Sequence, residues 1–362
     1  MAEPLKNMIN EENVGKLGQS IQEIYPAFDQ TKFMTTIFNE KWHDLALMER
    51  GHLITETLGA FLPSEYPLAI EILTKVIENV ESFLPVSLTA FIPMFGLDEQ
   101  YLEISIKALR HFTQFGTSEF AVRPFIEKYE AKMLQVMLEW TQDDNEHVRR
   151  LASEGCRPAL PWGRALKSYK LDPTPILPIL EALKNDDAKY VLKSVANNLN
   201  DIAKTHPNLI TDLMKDWQNQ SKNTDWVIKH GCRTLLKQAN PQALALFGYQ
   251  DATSIHVTDF NVDCRELNIG DFFNFSFNIK ADNDTKLRLE YSIDFMKANK
   301  KQNKKVFQIS EIALTKGQKK SYTKKHSFAN LSTRKHYPGA HKITLIVNGS
   351  PRDSASFELL ED

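Results

Sequence analysis

The strongest constraint on this chain is an internal repeat. The segments DDNEHVRRLASEG, DDAKYVLKSVANN and NTDWVIKHGCRTL each open on an acidic residue or asparagine, pass through a valine, and place a cation two residues beyond it. The valines are Val148, Val191 and Val227, so the repeat length is 43 and then 36 residues. An acidic or asparagine start followed by periodic apolar positions is a helix start, and units of this length stack to bury a shared core. The chain before the repeat agrees. Leu45, Met48, Ile54, Leu58 and Phe61 form one helical stripe, and Ile70, Leu73, Val76, Ile77 and Val80 form the next.

The repeat length is close to the roughly 40 to 47 residues of HEAT and armadillo units, whose stacked helix pairs form a curved solenoid. The second helix of each pair usually lines its concave side. In register, Arg150, Lys193 and Lys229 form one row, while Glu154, Asn197 and Arg233 form a second row one turn later. A row of cations on a solenoid is commonly just solvated surface. Here Glu154 and Asp201, one turn beyond Asn197, interrupt it, and such interruptions would weaken a general phosphate-binding wall. They need another purpose.

Near Gln250 the texture changes. Ser254 to Val262, Phe272 to Ile279, Lys286 to Phe295 and Lys342 to Val347 alternate as strands do, with turn signals at Asn268–Gly270, Asp282–Asp284 and Asn348–Ser350. About seven short strands in this stretch fit an immunoglobulin-like sandwich. The expected architecture is therefore mainly α: a HEAT-like helical-repeat solenoid over residues 1–250, then a small β-sandwich over 251–362. Charge divides the same way. Residues 251–362 hold 18 Lys and Arg against 14 Asp and Glu, whereas the first 250 residues hold 26 against 32. Lysine runs at Lys297–Lys305 and Lys316–Lys325 fall in loops or at strand edges. Lysines protect edges from aggregation, but their number favours contact with a polyanion, with Lys304, Lys305, Lys319 and Lys320 as candidates.

Cys156, Cys232 and Cys264 lie far apart, fit no metal spacing and suggest no disulfide framework, so a reducing cytoplasm is expected. The N-terminal MAEPLKNMINEENV lacks the layout of a signal peptide, and the longest apolar run, Phe83 to Leu97, is short and contains Pro85 and Pro93. No membrane span, metal cluster or nucleotide-binding motif is expected, and hence no metal and no cofactor.

The most informative chemistry lies in VRRLASEGCRPALPWGRA, Val148 to Ala165. If its first half is helical, Arg150 and Glu154 share a face at i and i+4. Pro158 and Pro161 end the helix, and the irregular segment presents Trp162. The plain reading is an intrahelical pair followed by a buried indole. The functional reading is a site for a ligand that is anionic overall yet locally cationic, such as alkylated DNA.

Together with LKNMINEENV, YPAFD, FLPVSLTAFIP, TSEFAVRPF and DWVIKHGCRTLLK, these motifs make residues 1–250 resemble the AlkC family of alkylpurine DNA glycosylases, in the HEAT-like-repeat superfamily that also includes AlkD. Some members carry a C-terminal immunoglobulin-like domain, as residues 251–362 would. Cys156 departs from the pattern, standing where a small hydroxyl residue is expected. The resemblance implies hydrolysis of the N-glycosidic bond of cationic N3-alkylated bases in duplex DNA, chiefly 3-methyladenine with 3-methylcytosine as a second candidate, without full base flipping and without a lyase step. It implies catalytic roles for Glu119, Glu154 and Asp201, an aromatic face from Trp162, and DNA contacts from Arg150, Lys193, Asn197, Lys229 and Arg233. Double-stranded alkylated DNA is the expected partner of a monomer. The competing expectation is a non-catalytic HEAT-repeat binder of DNA structures or of a protein.

Overall fold

A computed structural model describes residues 5–249, 252–331 and 334–361. Sixteen α-helices among these residues, ending with Pro241–Leu246, are followed by eight strands. The chain forms two compact units, one of residues up to Thr205 with Trp217–Gly231, the other of His206–Asp216 and everything from Cys232 onward. Helices give way to strands near residue 250, but the compact units divide earlier. The turn at Gly349 explains part of this: a Cβ there would stand 2.6 Å from the Ala239 side chain and 3.0 Å from that of Leu244, so glycine lets the strand end close on these helices.

The repeat is present in the first unit as the helices Glu146–Gly155, Lys189–Ala203 and Lys222–Gly231, with Val148, Val191 and Val227 wholly buried. The middle helix packs against both others. Asn145 caps the first, its side chain accepting from His147 N at 2.9 Å. Asp186 accepts from Ala188 N at 2.8 Å just before the second helix and also pairs with Arg149 of the first at 2.6 Å. In the third copy the register slips: Ser221 takes the Thr224 N–H at 3.0 Å, and Asn223 and Asp225 fall inside the first turn. The Ser153 hydroxyl donates to that of Ser194 across the first two helices at 2.7 Å, and Asn198 Nδ2 donates to Ser153 O at 2.9 Å. Small side chains at this crossing bring the helix carrying Glu154 against the one carrying Asp201.

Of the first apolar stripe, Ile54 and Leu58 are buried while Met48 is exposed, and Val80 lies beyond the end of Tyr66–Ile77. No helix is long and apolar enough to cross a membrane, among the residues described.

The strands are β1 (Ile255–Val262), β2 (Glu266–Asn268), β3 (Phe272–Ala281), β4 (Thr285–Met296), β5 (Gln302–Leu314), β6 (Lys319–Ser327), β7 (Gly339–Val347) and β8 (Ser350–Leu360). They form one sheet in the order β1-β3-β6 and another in the order β2-β8-β7-β4-β5. Phe273, Phe275, Phe277 and Ile279 alternate inward from β3 to meet Leu287, Leu289, Tyr291 and Ile293 from β4 in one core. The β7–β8 hairpin turns on Asn348 and Gly349, both at positive φ, as the twist of a two-residue hairpin demands.

Candidate nucleic-acid interface and acidic site

Glu119 sits in a turn that precedes Arg123–Lys128; its N–H donates to Thr117 Oγ1 at 3.2 Å, and the Thr117 hydroxyl returns a bond to Glu119 Oε2 at 2.9 Å. Arg150, from the Glu146–Gly155 helix, reaches that same oxygen at 2.5 Å and Thr117 Oγ1 at 3.0 Å. Its second contact, to Glu154 Oε1, is looser at 3.6 Å. The pair at i and i+4 is thus present but secondary. Arg150 also lies 4.8 Å from the centre of the Tyr190 ring, which is 40% exposed and stands at the start of the next repeat helix.

From Glu154 the chain of charges continues. Arg157 Nη1 donates to Glu154 Oε1 at 2.6 Å, while its Nε and Nη2 meet Asp201 Oδ2 at 2.9 and 2.8 Å. Lys204 holds the other oxygen of Asp201 at 2.8 Å. Glu119, Arg150, Glu154, Arg157, Asp201 and Lys204 therefore alternate in sign along one network, and helix packing makes neighbours of residues up to 44 apart in sequence. Glu154 and Asp201 are only 4% and 5% exposed. Burial pulls the Arg157 guanidinium down, but Glu154 and Asp201 outweigh it and leave its pKa raised. Each carboxylate has a cationic partner, as buried charge requires.

A buried arginine anchors the segment that follows. Arg123 donates to the carbonyls of Gly155, Arg157 and Arg164 at 2.8, 3.0 and 2.7 Å, and burial lowers it to about 10. Gly155 makes the approach possible, because a Cβ there would come within 2.6 Å of Val122. Pinned at both ends, the loop turns out at Trp162, which adopts φ +62° and is 68% exposed. A non-glycine residue at positive φ is strained, and here the strain turns an indole toward solvent. The expectation of an exposed ring is met, although no ring or cation contact joins Trp162 to the charge network among the described residues. Cys156 is buried, donates to Ala152 O at 3.2 Å, and is pushed up to about 12 by burial. That environment favours the thiol over the thiolate.

The other expected contacts are more scattered. Lys193 and Lys229 are exposed on their repeat helices and Asn197 is half-buried. Arg233 leaves the row: the third repeat helix stops at Gly231, and Arg233 begins a separate helix, Arg233–Lys237, in the second unit. In the sandwich both lysine runs end on edge strands, and strand pairing sorts them by face. Lys304 lies opposite Asp294 and Lys319 opposite Lys280 on the outer faces. Lys305 lies opposite Ile293 and Lys320 opposite Ile279, so both begin from the inner face and extend over the rings of Phe307 and Tyr322 at 5.6 and 5.4 Å. Inward-facing edge lysines are a device against strand addition. Among the described residues no group of three His, Cys, Asp or Glu could hold a metal.

Sequence reasoning passed over Arg157, Arg123 and Tyr190. Arg157 carried a signal, lying three residues after Glu154 at a helix end. Tyr190 carried only its place in the repeat, one residue before the shared valine.

Residues 99–235 match the family model for a DNA alkylation repair enzyme, and residues 256–361 match the one for the C-terminal Ig-like domain of the uncharacterised protein YhaZ. The uncharacterized protein YhaZ of Bacillus subtilis (strain 168) is 45% identical over 355 residues, spanning 98% of this chain and 99% of that protein. Among solved structures, alkylpurine DNA glycosylase AlkC of Pseudomonas fluorescens, bound to DNA containing an abasic site analog, is 36% identical with a TM-score of 0.94, over 99% of this chain and 100% of that one. The match runs through both the repeats and the sandwich, so the chain belongs to the DNA alkylation repair enzyme family, as an AlkC-like long form with a C-terminal Ig-like domain.

Proposed function

We propose that this protein is a monofunctional DNA glycosylase that hydrolyses the N-glycosidic bond of cationic N3-alkylated bases in duplex DNA, 3-methyladenine foremost and 3-methylcytosine second, without full base flipping. The observation that carries the reading is the alternating network of Glu119, Arg150, Glu154, Arg157 and Asp201, with exposed Tyr190 against Arg150 and exposed Trp162 in the loop that follows the helix of Glu154. A base alkylated on a ring nitrogen carries a positive charge and departs neutral, so no strong general acid is needed. The barrier lies in the cation that develops on the sugar, and fixed carboxylates stabilise it.

Magnitudes separate this from a generic negative patch. A carboxylate about 4 Å from the sugar contributes roughly 4 kcal/mol at an effective dielectric near 20, while its guanidinium partner about 7 Å away takes back roughly 2. About 2 kcal/mol remains for each carboxylate, and two such groups supply on the order of a thousandfold in rate. Both oxygens of Asp201 are bonded within the protein, whereas Oε2 of Glu154 takes no hydrogen bond among the described residues. Glu119 likewise bonds through Oε2 alone; Glu154 is the more deeply buried of the two, its side chain 6% exposed against 12%, and is the carboxylate proposed to face the sugar, with Glu119 and Asp201 completing the field. Trp162 offers a ring to the cationic base or sugar. Arg150, Lys193, Asn197, Lys229 and Arg233 serve as DNA contacts, and the outer-face lysines Lys304 and Lys319 bind phosphates from the sandwich.

The test is release of 3-methyladenine from methylated duplex DNA by the full chain, in chelator and without added cofactor. Base release at micromolar protein is expected. Tight DNA binding with no released base would replace the glycosylase by a non-catalytic DNA binder.

A further inference from the structure

We propose that Arg157 is the positioning residue of the site: its guanidinium, braced against Glu154 and Asp201 at once, aims the free oxygen of Glu154 at the sugar. The proposal rests on the reading of those two carboxylates as catalytic.

Three features carry it. First, Arg157 is 7% exposed and joins carboxylates that belong to different helices, Glu146–Gly155 and Lys189–Ala203. Nη1 takes one oxygen of Glu154 at 2.6 Å, leaving Oε2 outside the pairing, and Nε and Nη2 take Asp201. A planar fork can meet two partners in fixed directions, which the compact ammonium of lysine cannot. Second, the residue that does the aiming is itself held. Arg123 Nη1 bonds the Arg157 carbonyl at 3.0 Å and the Gly155 carbonyl at 2.8 Å, while the Arg157 N–H returns to Glu154 O at 3.2 Å. Side chain and backbone are thus fixed by separate contacts. Third, stability does not explain such a cluster, because buried ion networks can be replaced by apolar packing at little or no loss. Catalysis does explain it, since a carboxylate stabilises a developing cation only when it need not reorganise during the reaction. A positive charge near a cationic transition state costs rate, so the gain from fixing Glu154 must exceed that cost.

Single-turnover excision with a double-mutant cycle tests this. Arg157→Gln is expected to lose about a hundredfold in excision rate, while affinity for duplex DNA containing an abasic-site analogue stays within about threefold. In a Glu154→Gln background the same change should cost less than about threefold, because the aimed group is already gone. Arg157→Lys keeps the charge and loses the fork; a loss of about tenfold is expected, and this variant carries the cycle if Arg157→Gln does not fold. Near-normal excision by Arg157→Gln, or losses that multiply in the double variant, would assign Arg157 to structure alone. A wild-type protein that releases no base would instead overturn the glycosylase reading beneath it.

Discussion

Among the described residues, both units hold a buried network built on arginine and carboxylates, and the two are not alike. In the sandwich, Arg288 holds Glu290 at 2.7 Å and Glu311 at 2.8 Å, partners that lie two residues along the same strand and directly across on its neighbour. Glu311 also accepts from Gln308 Nε2 at 3.1 Å, and burial raises the Glu290 carboxyl. In the helical unit, Glu119, Glu154 and Asp201 come from three separate elements, Arg150 and Arg157 bridge them, and the network ends at Lys204, whose side chain is half-exposed. The Tyr190 ring, 40% exposed, stands beside Arg150 there. Burial of ion pairs is therefore a poor sign of chemistry by itself. Carboxylates brought from separate elements, with an oxygen left unbonded and an accessible aromatic face in the same network, are a better one.

Neutralising one carboxylate in each network should separate them most clearly. Glu154→Gln is expected to lose about a hundredfold in single-turnover excision, because it removes the charge and unseats Arg157. Glu290→Gln should leave excision unchanged and cost about 2–3 kcal/mol of unfolding free energy in denaturant melts, since Arg288 loses one of its buried partners. Equal loss of excision in both variants would erase the distinction.

Acid should act on the sandwich unit next most strongly. His326, His336 and His341 are buried among Phe273, Phe295, Phe328 and Phe357, and burial lowers all three, His326 to about 4. The unfolded chain binds a proton on each near pH 6.5 while the folded one does not, so stability falls as pH drops through that window toward 4. His326 alone should cost about 2 kcal/mol between pH 6.5 and 5. A melt of the full chain whose sandwich transition is flat from pH 7 to 5 would contradict this.

The smallest effect concerns the edge lysines. Lys304→Gln with Lys319→Gln should reduce the slope of log affinity against log salt by about 2, as two phosphate contacts vanish. Lys305→Gln with Lys320→Gln should leave the slope nearly unchanged, because these inner-face lysines guard the edges. Equal slopes in both pairs would assign all four to edge protection.

Much of this was legible in order along the chain. The repeat valines, the strand alternation and the Asn348–Gly349 turn follow from local periodicity and turn chemistry, and so did the exposed Trp162 just after Pro158 and Pro161. What was not legible depends on packing. The Arg150–Glu119 contact joins a turn to a helix 31 residues away, and no spacing rule reports it. Arg157 was hidden because its second partner, Asp201, arrives from the next repeat. The three-residue β2 pairs in parallel with β8 and is too short to show a period, which is why about seven strands were expected and eight are present. The faces of Lys305 and Lys320 were hidden for another reason: lysine stands on both sides of an edge strand, so the alternation carries no phase.

In the proposed function, held carboxylates work on a cationic nucleoside. The sharpest test of that role places 3-methyladenine and the uncharged lesion hypoxanthine in identical duplexes and follows single-turnover release of each by the wild-type protein. Release of 3-methyladenine with hypoxanthine at least about a thousandfold slower is the predicted result, since the neutral base brings no charge of its own and needs a general acid to leave. Comparable release of both bases would contradict the claim and point to a protonating group that the network does not contain.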